Sequence, residues 1–171
     1  MVINENGLRE NVAMVLSDGF GKVFWAKRLG QEAWQFPQGG VDAGETYEEA
    51  LYRELHEEIG LGSKDVSILQ VSKHCFKYKI PPAFQRMSEG RLCVGQKQKW
   101  FFLQLKTSSS RVRFDYTDTS EFDDWRWVSY WHPLVTVVPF KREVYRSALR
   151  EFSEKNYALQ LKKYDADTRA C

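Results

Sequence analysis

Three glutamates, Glu54, Glu57 and Glu58, stand at i, i+3 and i+4 in a stretch free of Gly and Pro. On a helix that spacing gathers their Cβ atoms to within about 5–6 Å on one face. Like charges so close repel one another, raise one or more carboxyl pKa values, and are relieved by a bound divalent cation. Only oxygen ligands are on offer there, without Cys and without a suitably spaced His pair, which favours Mg2+ or Mn2+ over Zn2+. Mg2+ retains several waters and prefers one or two carboxylates together with substrate phosphates. The spacing therefore points to phosphate chemistry. The competing reading is a solvated acidic face made by Glu48, Glu49, Glu54, Glu57 and Glu58 and laced by Arg53.

The wider pattern decides between the two. Gly39 is followed after five residues by Glu45, after seven more by Arg53-Glu54-Leu55, then by Glu57-Glu58 and Gly60-Leu61. Seven fixed identities at about one in fifteen each give roughly 10⁻⁸ per window by composition. The segment resembles the signature of the Nudix hydrolases, which cleave nucleoside diphosphates linked to another moiety and hold divalent cations on a loop–helix–loop. That resemblance implies an α+β fold, the Nudix α/β/α sandwich with a mixed β-sheet. It also implies Glu54, Glu57 and Glu58 as metal ligands and catalytic acids, the Gly39 carbonyl as a further metal ligand, and Glu45 and Arg53 as braces of the loop. Gly40 and Gly44 would let the backbone turn tightly beside it. Arg53 also offsets the acidic charge, so its loss is expected to damage geometry more than to remove a reacting group.

Metals about 3.5–4 Å apart would neutralise bridging phosphate oxygens and lower the pKa of a bound water while a carboxylate takes the proton. A metal-bound Glu is a poor base, which calls for a fourth acid. Asp115, Asp118, Glu121, Asp123 and Asp124 are the candidates, clustered ahead of Trp125. Further stretches, Trp34 to Gly40, Gly95 to Trp100, Glu121 to Trp127 and Phe140 to Arg142, resemble the bacterial RNA pyrophosphohydrolases within the Nudix family. The similarity runs from about Gly7 to Phe152. It implies RNA 5′ ends as substrate, conversion of a tri- or diphosphate end to a monophosphate, promotion of messenger RNA decay, and Glu121 as fourth acid, metal ligand or general base. Arg9, Arg28, Lys99 and Lys141 would then meet phosphates, Tyr78 and Gln96 would donate hydrogen bonds, and Phe140 would stack on a base. Leu8 and Glu10 depart from the closest pattern, which often has an aromatic and a proline around the Arg. A hydrolase of dinucleoside polyphosphates uses the same signature, and rates on triphosphorylated RNA and on a dinucleoside tetraphosphate separate the two. A non-catalytic RNA-binding module is the other alternative; such proteins usually lose acids that this chain keeps.

These groups need a scaffold. Asn11–Leu16 and Lys22–Lys27 read as a hairpin around Ser-Asp-Gly, and Thr46–Ile59 as a helix closed by Gly60. Val66–Ile80, Lys99–Leu105 and Trp125–Trp131 read as strands, the last with its large aromatics assigned mainly to core. Phe140–Tyr157 carries Val144, Tyr145, Ala148, Leu149 and Phe152 at helical spacing. Strands with one helix inserted and another at the end suggest a single α+β domain over residues 1–160, followed by a polar, flexible tail at 161–171. Pro81–Gly90 and that tail carry no signature and are where partner specificity, including a protein activator, would lie.

With 171 residues, 43% of them hydrophobic and 15% aromatic, the chain has material for one sizeable core, so disorder as its main state is excluded. A formal net charge of +2 leaves no excess positive charge for coating DNA. No signal-like or membrane-spanning apolar run occurs. Cys75, Cys93 and Cys171 lack paired spacing and fit reduced thiols in the cytoplasm, and His56, His74 and His132 lack metal spacing.

Overall fold

Thr46 opens the first helix: its hydroxyl accepts the Glu49 backbone N–H at 3.2 Å while Glu49 Oε2 accepts the Thr46 N–H at 2.8 Å. Helix α1 (Tyr47–Ile59) closes at Gly60, whose φ of 73° and N–H bond to the His56 carbonyl make a left-handed cap. The computed structural model describes residues 2–88, 90–115 and 120–169.

Strands β1 (Leu8–Ser17) and β2 (Lys22–Arg28) pair antiparallel, as the Ser-Asp-Gly turn requires. Short strands β3 (Trp34–Gln35) and β4 (Gln38–Gly40) follow, added to β2 and β1 respectively. After α1 come β5 (Val66–Val71), β6 (Phe76–Lys79), a small hairpin of β7 (Arg86–Ser88) and β8 (Arg91–Cys93), and then β9 (Gly95–Leu105). The last strand is β10 (Phe122–Ser129), with α2 (His132–Thr136) and α3 (Arg142–Arg169) after it. The main sheet runs β10-β2-β1-β9-β5, and β1 and β9 are parallel in register from Leu8↔Gly95 to Ser17↔Gln104. Its other pairings are antiparallel, so the sheet is mixed.

Alternation along β1 and β9 splits the core in two. Val12, Met14, Leu16, Phe101 and Leu103 meet Leu51, Leu55 and Ile59 of α1. Ala13, Val15, Trp100 and Phe102 meet Tyr145, Leu149 and Phe152 of α3 on the opposite face. The expected α/β/α sandwich is thus formed, with one helix layer on each side. Leu55 has no exposed surface, and its truncation to Ala would cost about 2–5 kcal/mol.

Several boundaries differ from the sequence reading, each for a physical reason. Val66–Ile80 is two strands, because the chain breaks over Ser72–Cys75, where Ser72 Oγ donates to the His74 carbonyl at 2.8 Å, before rejoining β9. The signature-free segment after Ile80 leads into the β7–β8 hairpin. Helix α3 continues beyond Tyr157 to Arg169, since the residues that follow are helix formers with no Gly or Pro. Trp125 and Trp127 are only partly buried; they pack on Phe24 with ring centroids 4.9 and 6.0 Å away. Trp131, assigned to core, is instead 47% exposed, because β10 ends before it.

Candidate active site

The β4–α1 junction is knotted by one guanidinium. Arg53 donates from Nε and Nη2 to the two carboxylate oxygens of Glu45, both at 2.8 Å, and from Nη2 to the Gly40 carbonyl at 2.7 Å. Its Nη1 donates to Glu54 at 2.8 Å and to Glu57 at 3.3 Å. Bonding to Arg53 holds the Glu45 carboxyl below its usual range. The bracing role expected of Arg53 and Glu45 is therefore visible in the bonds they make, and replacing Arg53 would release the loop and two acids together.

Glu54 lies against the backbone of Gly39, where an added Cβ would fall 1.7 Å from its carboxyl carbon. Burial pushes its pKa up, and Arg53 pulls it partly back. Glu58 is 4% exposed; its Oε2 accepts the Gln38 backbone N–H at 2.8 Å, and Glu121 lies near enough for its charge to act on the Glu58 carboxyl. Burial, and then the charges of Glu121 and Glu54, hold Glu58 well above the ordinary carboxylate range. Its Oε1 is buried and has no hydrogen-bond partner among the described residues.

A divalent cation fits this arrangement. The donors are hard oxygens, two of the acids have pKa values raised by burial, and one buried carboxylate oxygen lacks a partner. Glu54, Glu58, Glu121 and the close backbone of Gly39 are the residues able to hold it, with Glu57 half-exposed beside them. Among the described residues no three such side chains form a closed cage. Glu54 and Glu57 turn to Arg53, while Glu58 and Glu121 form the second pair.

Of the candidate fourth acids, Glu121 alone adjoins Glu58 among the described residues. Asp123 accepts the Gly30 N–H at 2.9 Å, Asp124 accepts the Trp125 N–H, and Asp115 pairs with Arg113. Asp118 lies outside the described residues.

Opposite the acids stands a cationic and amide-rich wall. Lys141 is 8% exposed, and its Nζ donates to Gln35 Oε1 at 2.9 Å and Gln38 Oε1 at 3.3 Å. Burial, reinforced by the Arg28 charge, lowers its pKa to about 8, against the opposing pull of Glu121 and Glu58. The charges of Arg9 and Arg28 both reach Tyr78, and each has a buried Nε without a partner among the described residues. The Arg9 guanidinium sits over Gly40, where a Cβ would come within 2.3 Å of it. The charge of Arg28 opposes that of Lys141, and an anion beside the two relieves that.

Gln96 and Gln98 occupy the same face of β9 as Trp100, and Gln98 Nε2 donates to Asn11, Gln38 and Gln96. Two of the expected contact residues turn to protein partners. Tyr78 is 7% exposed and its hydroxyl donates to Gln96 Oε1 at 2.7 Å, which orients Gln96. Lys99 lies on the other face of β9, where period-two alternation puts it with Lys97, and its Nζ donates to the Lys73 carbonyl at 3.4 Å. Phe140 sits between Tyr78 and Phe84, with centroids 5.9 and 6.2 Å away. Gln35, Gln38, Asn11, Gln98 and Phe84 were not singled out by the sequence; the run Trp34 to Gly40 held the signal for Gln35 and Gln38, and the run Gly95 to Trp100 held it for Gln98.

The chain matches the NUDIX domain over residues 7–148. It is 55% identical over 152 residues to the RNA pyrophosphohydrolase of Photobacterium profundum, a match covering 89% of this chain and 87% of that one. It is 53% identical over 154 residues to the RNA pyrophosphohydrolase of Stutzerimonas stutzeri, covering 90% of this chain and 97% of that one. Among solved structures it resembles the E. coli dihydroneopterin triphosphate pyrophosphohydrolase, with a TM-score of 0.65 at 18% identity over 85% of this chain and 96% of the other. No helix among the described residues is long and apolar enough to cross a membrane.

Proposed function

Because this chain belongs to the NUDIX family, whose hydrolases use divalent cations, we propose that it is an RNA 5′-pyrophosphohydrolase that works with Mg2+, with Mn2+ able to substitute. It converts the 5′-tri- or diphosphate end of RNA to a monophosphate, releasing pyrophosphate or phosphate, and so promotes messenger RNA decay in the cytoplasm. The observation that carries this reading is that buried Glu58, with the charge of Glu121 beside it, and buried Lys141 both bond to Gln38, Glu58 to its backbone N–H and Lys141 to its side chain. The identity to RNA pyrophosphohydrolases supports the choice of substrate.

In this reading Glu54, Glu57, Glu58 and the Gly39 carbonyl would hold the cation, which leaves Glu121 free to act as the base. When bound, the cation screens phosphate oxygens and lowers the pKa of a water. Arg9, Arg28 and Lys141 neutralise non-bridging oxygens, and Gln96, oriented by Tyr78, places an amide beside them. Glu121, exposed and close enough for its charge to act on Glu58, takes the proton as water oxygen bonds to phosphorus and the phosphoanhydride P–O bond breaks. The released phosphate group leaves with the bond's electron pair. Phe140 offers its face to a base near the 5′ end.

The test is incubation of the purified protein with 5′-triphosphate and 5′-diphosphate RNA, with and without Mg2+, and identification of the products. Monophosphorylated RNA formed only with the cation is the expected outcome. Intact 5′ ends under saturating Mg2+ would refute the reading.

A further inference from the structure

Away from the acids, the end of β10 and the later turns of α3 enclose a second cavity of about 330 Å³. Tyr130, Trp131, Ser153, Asn156, Tyr157 and Gln160 line it, with the exposed Glu154. Asn156 is 3% exposed, yet its Oδ1 has no hydrogen-bond partner among the described residues. A buried amide oxygen without a partner is uncommon and marks a place where a ligand can supply the donor. Trp131 and Tyr157 are 47% and 61% exposed, so their rings are open to a planar guest. Trp131 is also fixed: its ring stands edge-on to Tyr130, centroids 4.9 Å apart, and the Tyr130 hydroxyl donates to the Leu149 carbonyl at 2.7 Å.

The route from the catalytic end to this cavity is cationic. Arg142, Arg146 and Arg150 recur every four residues on α3, and Ser153 and Tyr157 continue the same face into the cavity. Arg142 has a buried Nε without a partner among the described residues, and Arg150 is exposed and forms no ion pair among them. Arg146 is held by Glu143. From Arg142 to Tyr157 the helix rises about 22 Å, enough for several nucleotides of single strand. Glu154 repels phosphate, so the cavity suits a base more than a backbone group. An amide oxygen without a partner accepts from the exocyclic amine of a base, which adenine, cytosine and guanine carry.

We propose that α3 carries the RNA downstream of its 5′ end along the Arg142–Arg146–Arg150 row and that the Trp131–Asn156–Tyr157 cavity takes one unstacked base bearing an exocyclic amine. This rests on the RNA reading of the catalytic site. It makes the enzyme sensitive to the length of unpaired RNA behind the reacting phosphates.

The experiment compares the wild type with Tyr157→Ala and Arg150→Ala, both changes at exposed positions. KM and kcat are measured on a triphosphorylated dinucleotide and on a triphosphorylated single strand of about ten nucleotides, long enough to span the helix face. Binding of a 5′-hydroxyl strand of the same length is followed by anisotropy, a readout that needs no reacting phosphate. The wild type is expected to show a KM on the order of tenfold lower for the long substrate. The variants are expected to lose that advantage and the 5′-hydroxyl binding while keeping kcat and the dinucleotide KM. Equal KM for both lengths in the wild type, or an advantage kept by both variants, overturns the proposal. So does a change of sedimentation in Tyr157→Ala with RNA binding intact, which would give the cavity to a second copy of the chain. Absence of hydrolysis on either substrate by the wild type would instead refute the catalytic reading, and the 5′-hydroxyl strand would still report on the cavity.

Discussion

The carboxylate of Glu54 is seated against the α-carbon of Gly39, so near that a methyl group there would fall 1.7 Å from its carboxyl carbon. A glycine is needed at this point for room, not for backbone conformation, since its φ is not among the positive values. Gly39→Ala is therefore expected to drive Glu54 off its position while Arg53 still holds the helix side of the loop. Displacement by about 1 Å at a reacting centre costs on the order of 100-fold in rate. Steady-state kinetics should show that fall in kcat; a variant within a few-fold of wild type would remove Glu54 from the reacting site.

Glu58 gives a pair of opposed effects. Its folded pKa lies above its unfolded value, so its contribution to stability is fully present below the unfolded pKa and is lost as pH rises through the folded one. Glu58→Gln keeps an acceptor for the Gln38 N–H and removes the buried charge. Without divalent cations at pH 7 its melting temperature should rise by about 2–4 °C for each kcal/mol relieved, with the gain vanishing below about pH 4. Turnover should fall by on the order of 100-fold or more. Thermal melts across pH and parallel rate measurements check both signs.

Lys141 titrates at about 8 in the folded protein because it is buried near Arg28. kcat/KM reports the free enzyme, so its value on triphosphorylated RNA should decline as pH rises through about 8 and the cation is lost. Lys141→Met should lower kcat/KM by on the order of tenfold at neutral pH and flatten that limb of the profile. A wild-type profile that stays level to pH 9 would deny Lys141 a role as a cation.

Lys99 tests the face assignment from the negative side. It lies across β9 from Gln96 and Gln98, with its amine on the Lys73 carbonyl. Lys99→Ala should leave kcat/KM within about twofold of wild type, as surface changes away from a site do. A loss of tenfold would restore it to the phosphate wall.

The acidic half of the site was legible in the sequence because it is local: Gly39, Glu45, Arg53, Glu54 and Glu58 lie within twenty residues of one another, and helix geometry with a capping box fixes their relation. The α/β/α layering followed from strand and helix periodicities. Lys141 meeting Gln38 across a separation of 103 residues has no local signature, and resemblance alone suggested that lysine. Lys99 was grouped with Gln96 by residue type without regard to strand parity; counting in twos from the buried Trp100 puts the two on opposite faces. Tyr78 looked available because it packs on Phe140, which comes 62 residues later in the chain. The aromatic pair Trp131 and Tyr157 was likewise hidden, since aromatics in alternation read as core wherever the strand is assumed to continue.

The parallel pairing of β1 with β9 joins residues 87 positions apart, from Leu8↔Gly95 onward. A nascent chain leaving the ribosome must therefore hold its first strand without a central neighbour until well over half of the polypeptide has been synthesised. Such late closure slows folding and leaves the apolar stretch Val12–Leu16 open to wrong partners in the interval. The order in which this protein is made thus sets the period in which it most needs a chaperone.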